Sequence, residues 1–240
     1  MLQPIGESIW IADGPQVSFY GAPYPTRMVI VRLESGALWL WSPIALDPAL
    51  RAEVARLGEP RYVVEPNKLH HLALAQWVEA WPELRLYAPP GLAKKRPDLT
   101  FVGRLDDDVP SEWRGQIDQV SVAGSFALTE VVFFHRASST CIVGDLVQRF
   151  DERTLSRGWR FLMKLDDLVG ETGSTPREWR LSFIHRARLR ESVARVLAWS
   201  PRQLVIAHGA CALDDGTVVL QRSLRWALGS RGGRIRADTH

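Results

Sequence analysis

Cysteine is scarce in this chain: two residues among 240, Cys141 and Cys211, each inside an apolar, strand-like run. Two isolated thiols build no disulfide framework and lack the spacing of a metal cluster, so both read as buried core side chains. Long apolar runs are missing too, and none approaches the roughly 18–20 residues that cross a bilayer. Met1-Leu2-Gln3-Pro4 lacks a basic stretch followed by an apolar block. No membrane contact or secretory signal is therefore expected, and a reducing cytoplasm fits. Charge of one sign is also lacking. The net charge is +3, and the basic residues are dispersed apart from Lys94-Lys95-Arg96, an arginine-rich stretch over 186–195 and the tail over 231–236. That balance argues against a nucleic-acid partner.

What is present is an ordinary globular composition, 46% hydrophobic and 24% charged. A chain of this length buries a full core without disulfides or a structural metal, so any metal would serve function more than folding.

The hydrophobic pattern lays out two similar runs of elements. Residues 8–12, 28–33 and 37–41 read as strands, with Glu34-Ser35-Gly36 as a turn, giving an antiparallel opening to a sheet. Pro48–Leu57 reads as a helix, with Leu50, Val54 and Leu57 on one face and Pro48 at its start. A strand over 62–65, a helix over 72–81 and a strand over 84–88 follow. Residues 94–114 are polar and carry one short strand near Phe101. The second run begins near Ile117: strands over 119–122, Glu130–His135 and 140–144, then helices over 151–164 and 177–199, a buried strand over 203–207 and a helix over 222–228. Trp39 and Trp41 share a strand face and Trp77 and Trp81 a helix face, and both pairs read as core packing. The pattern predicts an α/β class in which two sheets stack face to face with helices outside. It is read as one domain over 1–228, followed by a basic, frayed tail over 229–240.

Six histidines are present: His70, His71, His135, His185, His208 and His240. His70 and His71 follow the strand over 62–65, His135 ends one strand, Asp145 follows another and His208 ends the last. Open α/β sheets place their sites at strand ends. Singly, each residue has a plain structural reading, as a turn former, a helix cap or a backbone-bonded imidazole. Together, imidazoles and a carboxylate at one rim suit zinc, iron or manganese, and a carboxylate left alone beside a sheet core would be costly. His185 reads as part of a solvated arginine-rich helix face.

These segments resemble the metallo-β-lactamase superfamily over roughly residues 8–210. Glu65-Pro66-Asn67-Lys68-Leu69-His70-His71 sits where that superfamily carries His-x-His-x-Asp-His. His135-Arg136-Ala137-Ser138-Ser139 resembles its His-x-x-Gly-Ser segment. Ile142-Val143-Gly144-Asp145 resembles its Gly-Asp strand end, and Val205-Ile206-Ala207-His208-Gly209 its last Gly-His-Gly strand end. The chain also resembles a bacterial family of unknown function that shares this fold and a Pro-Asn-x-x-His-His signature. The resemblance implies a four-layer αββα sandwich with a degenerate metal-binding motif. It puts Pro66 and Lys68 in two histidine slots, His70 in the aspartate slot and His71 in the last histidine slot. The first metal site then keeps only His135, and the second keeps His71, Asp145 and His208, with His70 beside them. Lys68 reads either as a solvated loop residue or as an ammonium near the lost first metal.

Two functional readings follow. One is a hydrolase with a single zinc, iron or manganese ion, its metal ligands drawn from His70, His71, His135, Asp145 and His208, and with Asp145 and His208 as the catalytic pair. The other is a metal-free, non-catalytic binding protein on the same fold. Both take a small-molecule substrate or ligand. His71, His135, Asp145 and His208 are expected to converge in space, with His70 diverging from its neighbour in direction. The domain is expected to fold without metal.

Overall fold

The computed structural model describes residues 1–19 and 21–229. Residues 230–240, which hold most of the expected basic tail, lie outside the described residues. Seven strands form one sheet in sequence order: β1 (Gln3–Gly6), β2 (Ile9–Phe19), β3 (Ala22–Arg32), β4 (Ala37–Trp41), β5 (Glu59–Val64), β6 (Arg85–Ala88) and β7 (Phe101–Arg104). The first four pair antiparallel. The pairs from β4 to β7 are parallel, because α1 (Pro48–Leu57), α2 (Leu74–Ala80) and the short α3 (Leu92–Lys95) each return the chain to the same edge. The second half builds a four-stranded sheet from β8 (Ile117–Val122), β9 (Glu130–His135), β10 (Thr140–Val143) and β11 (Gln203–Ile206), in the order β11-β10-β9-β8. Between β10 and β11 lie α4 (Arg157–Leu165), α5 (Arg177–Ser182) and α6 (Arg186–Ala198), and α7 (Gly216–Leu228) follows β11.

Strand periodicity explains the layering. In β4, Leu38 and Leu40 point to one face and Trp39 and Trp41 to the other, and all four are fully buried. The leucines meet Leu50, Val54, Leu74 and Trp77 of α1 and α2. The tryptophans meet Val131, Phe133, Ile142 and Val205 of the second sheet. On the far side of that sheet, Val120, Val132, Cys141, Val143 and Ile206 pack on Leu189, Val193 and Val196 of α6 and on Leu220 and Leu224 of α7. The result is the αββα sandwich expected from the sequence. Among the described residues, no helix is long and apolar enough to cross a membrane. Cys141 is buried, Cys211 half-buried, and both are free.

Several element bounds differ from the sequence pattern, each for a local reason. β2 and β3 are 11 residues long, because a bulge between Gly14 and Val17 lets the strands continue through a proline- and glycine-rich stretch. The expected helix over 151–164 is a 3-10 turn, Glu152–Thr154, followed by α4, whose N-cap Ser156 accepts the Trp159 N–H. The expected helix over 177–199 is broken between α5 and α6, where Phe183 leaves the helix to bridge to Ser125. The last helix starts earlier than the pattern suggests, at Gly216, whose backbone lies too close to Arg202 and Gln203 for a side chain there.

Candidate metal centre

β10 and β11 run parallel, with Val143 opposite Ile206, and the Ala207 N–H extends the ladder to the Val143 carbonyl. Asp145 and His208 each lie two residues past these ends, so neighbouring strands deliver them to one rim. His70 arrives from the other sheet on the loop after β5. That loop is fastened by the Val131 N–H, which donates to the Pro66 carbonyl at 2.8 Å.

Asp145 stands between two imidazoles. His70 Nε2 lies 3.3 Å from Asp145 Oδ2, and His208 Nε2 lies 3.3 Å from Asp145 Oδ1. One potential ligand atom from each residue can be chosen so that all lie within 4.8 Å of one another. The far ring nitrogens are anchored. His208 Nδ1 donates to the Pro25 carbonyl at 2.7 Å, and His70 Nδ1 shares a hydrogen bond with Ser42 Oγ at 2.8 Å. Because a carbonyl can only accept, His208 carries its proton on Nδ1, and in the neutral ring Nε2 is a free lone pair. Tyr24 sets the edge of its ring against His208, 5.1 Å between centroids.

Asp145 is further fixed by the Asn67 side-chain amide at 2.8 Å and the Gln148 amide at 3.0 Å. Burial raises its pKa, but the hydrogen bonds from His208 and His70 outweigh burial and hold it well below the usual carboxylate range. Burial lowers the pKa of His208, yet its hydrogen bond to Asp145 and that residue's charge leave it raised overall. Burial dominates at His70, which is lowered. Without a cation, then, the contacts favour the charged form of Asp145 and shift His208 toward its protonated form and His70 toward its neutral one.

A second buried acid shapes this rim. Glu130, at the start of β9, accepts the backbone N–H groups of Gly144, Asp145 and Leu146 and the Asn67 amide. Its oxygens are thus committed to the main chain that presents Asp145. Gly144 is required for this closeness: a Cβ there would meet Pro66 Cβ at 2.9 Å and Glu130 Oε2 at 3.0 Å. Burial and the Asp145 charge push the Glu130 carboxyl upward.

The structure corrects two of the expected placements. His135 does not reach this rim. β9 is antiparallel to β10, so His135 pairs with Thr140 at the opposite end of the sheet, where its Nδ1 bonds Ser138 Oγ at 2.7 Å. The start of β9, not its end, comes to Asp145. His71 is near the rim but is not one of the three clustered residues. Its carbonyl accepts from Arg96, and its ring lies beside Lys95 and Arg96. Consecutive side chains diverge here, and the one that turns inward is His70. Lys68 reaches across to the Ala127 carbonyl at 2.8 Å, as a brace between loops. Sequence reasoning gave no role to Glu130, Asn67, Ser42, Pro25 or Gln148. Asn67 stood inside the quoted Pro-Asn-x-x-His-His signature, and Glu130 was a lone acid heading an apolar strand.

The donor set fits a metal ion. Two imidazole nitrogens and a carboxylate, with each ring oriented through its other nitrogen, suit zinc, iron or manganese. One nitrogen from each imidazole and one carboxylate oxygen, all within 4.8 Å of one another, could hold such an ion.

A family model described as a domain of unknown function (DUF4336) matches residues 6–156, well over half of the chain. The chain belongs to the DUF4336 family. No curated protein matches it by sequence. Among solved structures, this DUF4336 protein is similar to the DIM-1 metallo-β-lactamase, 16% identical over 95% of each chain with a TM-score of 0.62. It is similar to FIM-1 from Pseudomonas aeruginosa in its mono-zinc form, 14% identical over 95% of this chain and 94% of that one, TM-score 0.62. It is also similar to a metal-soaked Flv1 flavodiiron core from Synechocystis, 12% identical over 95% of this chain and 60% of that one, TM-score 0.62. These likenesses show the metallo-β-lactamase fold. On that fold, the DUF4336 protein brings His70, the residue in the motif's aspartate slot, to Asp145 and His208.

Proposed function

We propose that this DUF4336 protein is a hydrolase working with one divalent cation held by His70, Asp145 and His208. The observation that carries the reading is the meeting of two Nδ1-anchored imidazoles on one buried carboxylate, at the floor of an open cavity. Zinc, iron(II) or manganese bound there would supply Lewis acidity, lowering the pKa of a water and polarising a carbonyl or phosphoryl oxygen. The chain's own residues do the rest. Asp145 supplies the negative charge, the Pro25 carbonyl and Ser42 aim the imidazoles, and Glu130 holds the turn at 144–146. In the overall reaction, water oxygen bonds to the acyl or phosphoryl centre, the bond to the leaving group breaks, and the leaving group takes a proton.

Asn67 supports a single ion. Its amide donates to both Glu130 Oε2, at 3.1 Å, and Asp145 Oδ2, at 2.8 Å, and so ties the two acids together by hydrogen bonds without a second cation. Pro66 and Lys68 supply no imidazole. The inner core between the two sheets draws on both halves of the chain, which supports reading 1–228 as one domain, and the two free cysteines agree with a cytoplasmic setting.

A second reading, a metal-free binding protein, is favoured by one observation: His70, Asp145 and His208 already satisfy one another by hydrogen bonds. Titration calorimetry of untagged protein with zinc, manganese and iron(II), followed by a panel of ester, lactam and phosphoester substrates, separates the two. One ion per chain with metal-dependent turnover supports the hydrolase. No binding and no turnover leaves the binding protein.

A further inference from the structure

A cavity of about 920 Å³ opens above His70, Asp145 and His208. A cavity of this volume holds a substantial organic ligand. Its lining includes the apolar side chains Phe126, Leu128, Trp179, Ile44 and Leu72. Phe126 is 74% exposed and Leu72 is 70% exposed. Large apolar side chains standing in water at a cavity mouth gain burial only when something apolar covers them.

The cations lining this cavity are balanced in number by carboxylates: Arg27 by Asp13, and Lys68 and Lys95, which keep their charge, by Asp145 and Glu178 on the same lining. Among the described residues these cations are Arg27, Lys68 and Lys95. Arg27 is held by Asp13 and by the carbonyls of Ile206 and Gly209. Lys68 donates to the Ala127 carbonyl, and Lys95 to the Lys68 carbonyl at 3.3 Å. Each braces a wall. Glu178, also on the lining, adds a carboxylate that would repel an anionic ligand.

We propose that the substrate is an uncharged carboxylic ester with an apolar acyl chain, the chain packing against the apolar lining of Phe126, Trp179, Leu72 and Ile44. The ester bond rests on the hydrolase reading above; the chain rests on the cavity. In the reaction, water oxygen bonds to the acyl carbon, the acyl carbon–alkoxy oxygen bond breaks, and the alkoxide takes a proton, giving an acid and an alcohol.

The test separates binding from turnover. Displacement of Nile red from the full chain, with and without zinc, is followed with methyl butyrate, methyl octanoate, sodium octanoate and benzylpenicillin. Methyl octanoate is expected to bind tighter than methyl butyrate by about two- to fourfold for each additional methylene buried, with or without zinc. Without zinc, sodium octanoate and benzylpenicillin are expected to bind at least tenfold more weakly than methyl octanoate. Phe126→Asp and Leu72→Asp change exposed side chains, leave the fold intact by circular dichroism, and should each weaken methyl octanoate at least tenfold. Affinity independent of chain length, equal affinity for the anionic probes without zinc, or indifference to both variants overturns the proposal. Chain-length-dependent binding without zinc-dependent hydrolysis of para-nitrophenyl octanoate would leave the acyl-chain site standing and remove the hydrolase reading alone.

Discussion

The backbone N–H of Asp145 donates to the Glu130 carboxylate at 2.7 Å, so one buried acid holds the main chain that presents the other. Glu130 also takes the N–H groups on either side, from Gly144 and Leu146. Glu130→Gln replaces one acceptor oxygen with a donor amide and strands at least one of these N–H groups. The expected cost is about 2–3 kcal/mol of folding stability, read as a lower midpoint in urea unfolding, with weaker zinc binding in calorimetry. An unchanged midpoint would mean that the turn at 144–146 holds itself.

Asp145→Asn keeps the side chain's shape and removes its charge. A dication held by two imidazoles and one carboxylate depends on that charge. Metal affinity should fall by more than the ~10–100-fold typical of groups that only support a ligand, and metal-dependent hydrolysis should disappear. His208→Ala should do the same through loss of a nitrogen donor. Lys68→Ala should change metal affinity little, because Lys68 reaches to the Ala127 carbonyl and supplies no ligand atom. Calorimetry reads all three, with circular dichroism to confirm that each variant is folded. Full zinc affinity in Asp145→Asn would move the metal site elsewhere.

Much of the fold was legible because its signals are local. The alternation of Leu38 and Leu40 with Trp39 and Trp41 places β4 between two layers, and the apolar stripe of α1 follows from spacing alone. The extension of β2 and β3 was hidden by prolines and glycines that a bulge accommodates. Where the helix breaks, Phe183 bridges to Ser125, a partner distant in sequence. The site divides in the same way. Asp145 and His208 could be read as neighbours because each ends a buried apolar strand. The fate of His135 depended on the direction of β9 relative to β10, which no window of residues contains. That same direction brings Glu130 to the site. The choice between His70 and His71 turned on a loop where neither helix nor strand period fixes where a side chain points.

Asn67 sets the number of ions the site takes. With its amide tying Glu130 to Asp145, the wild type should bind one zinc per chain even in excess metal. Asn67→Asp exchanges the donor for a third carboxylate. Without metal, crowding of like charges should lower the unfolding midpoint. Zinc should restore it, with a bound ratio rising above one. Metal content after gel filtration and thermal unfolding with and without chelator read both. A ratio of two in the wild type would refute the single-ion reading.

His135 offers a pH dependence separate from the metal centre. It is 3% exposed, bonds Ser138, and burial lowers its pKa from 6.5 to about 4. The unfolded chain therefore binds a proton at a higher pH than the folded one. Its contribution is fully present above about pH 6.5, falls as pH drops through the window between 6.5 and about 4, and is lost below that. Near pH 4.5 the loss should reach roughly 2 kcal/mol. Other groups titrate in the same range, so the decisive quantity is a difference. Urea midpoints of the wild type and of His135→Gln, each taken at pH 7 and about pH 4.5, isolate it. Glutamine keeps a polar partner for Ser138 but cannot take up a proton, so the wild type should lose more stability on acidification than the variant. Equal losses would show that His135 takes up its proton as readily in the folded chain as in the unfolded one, and that its burial against Ser138 carries no pH dependence.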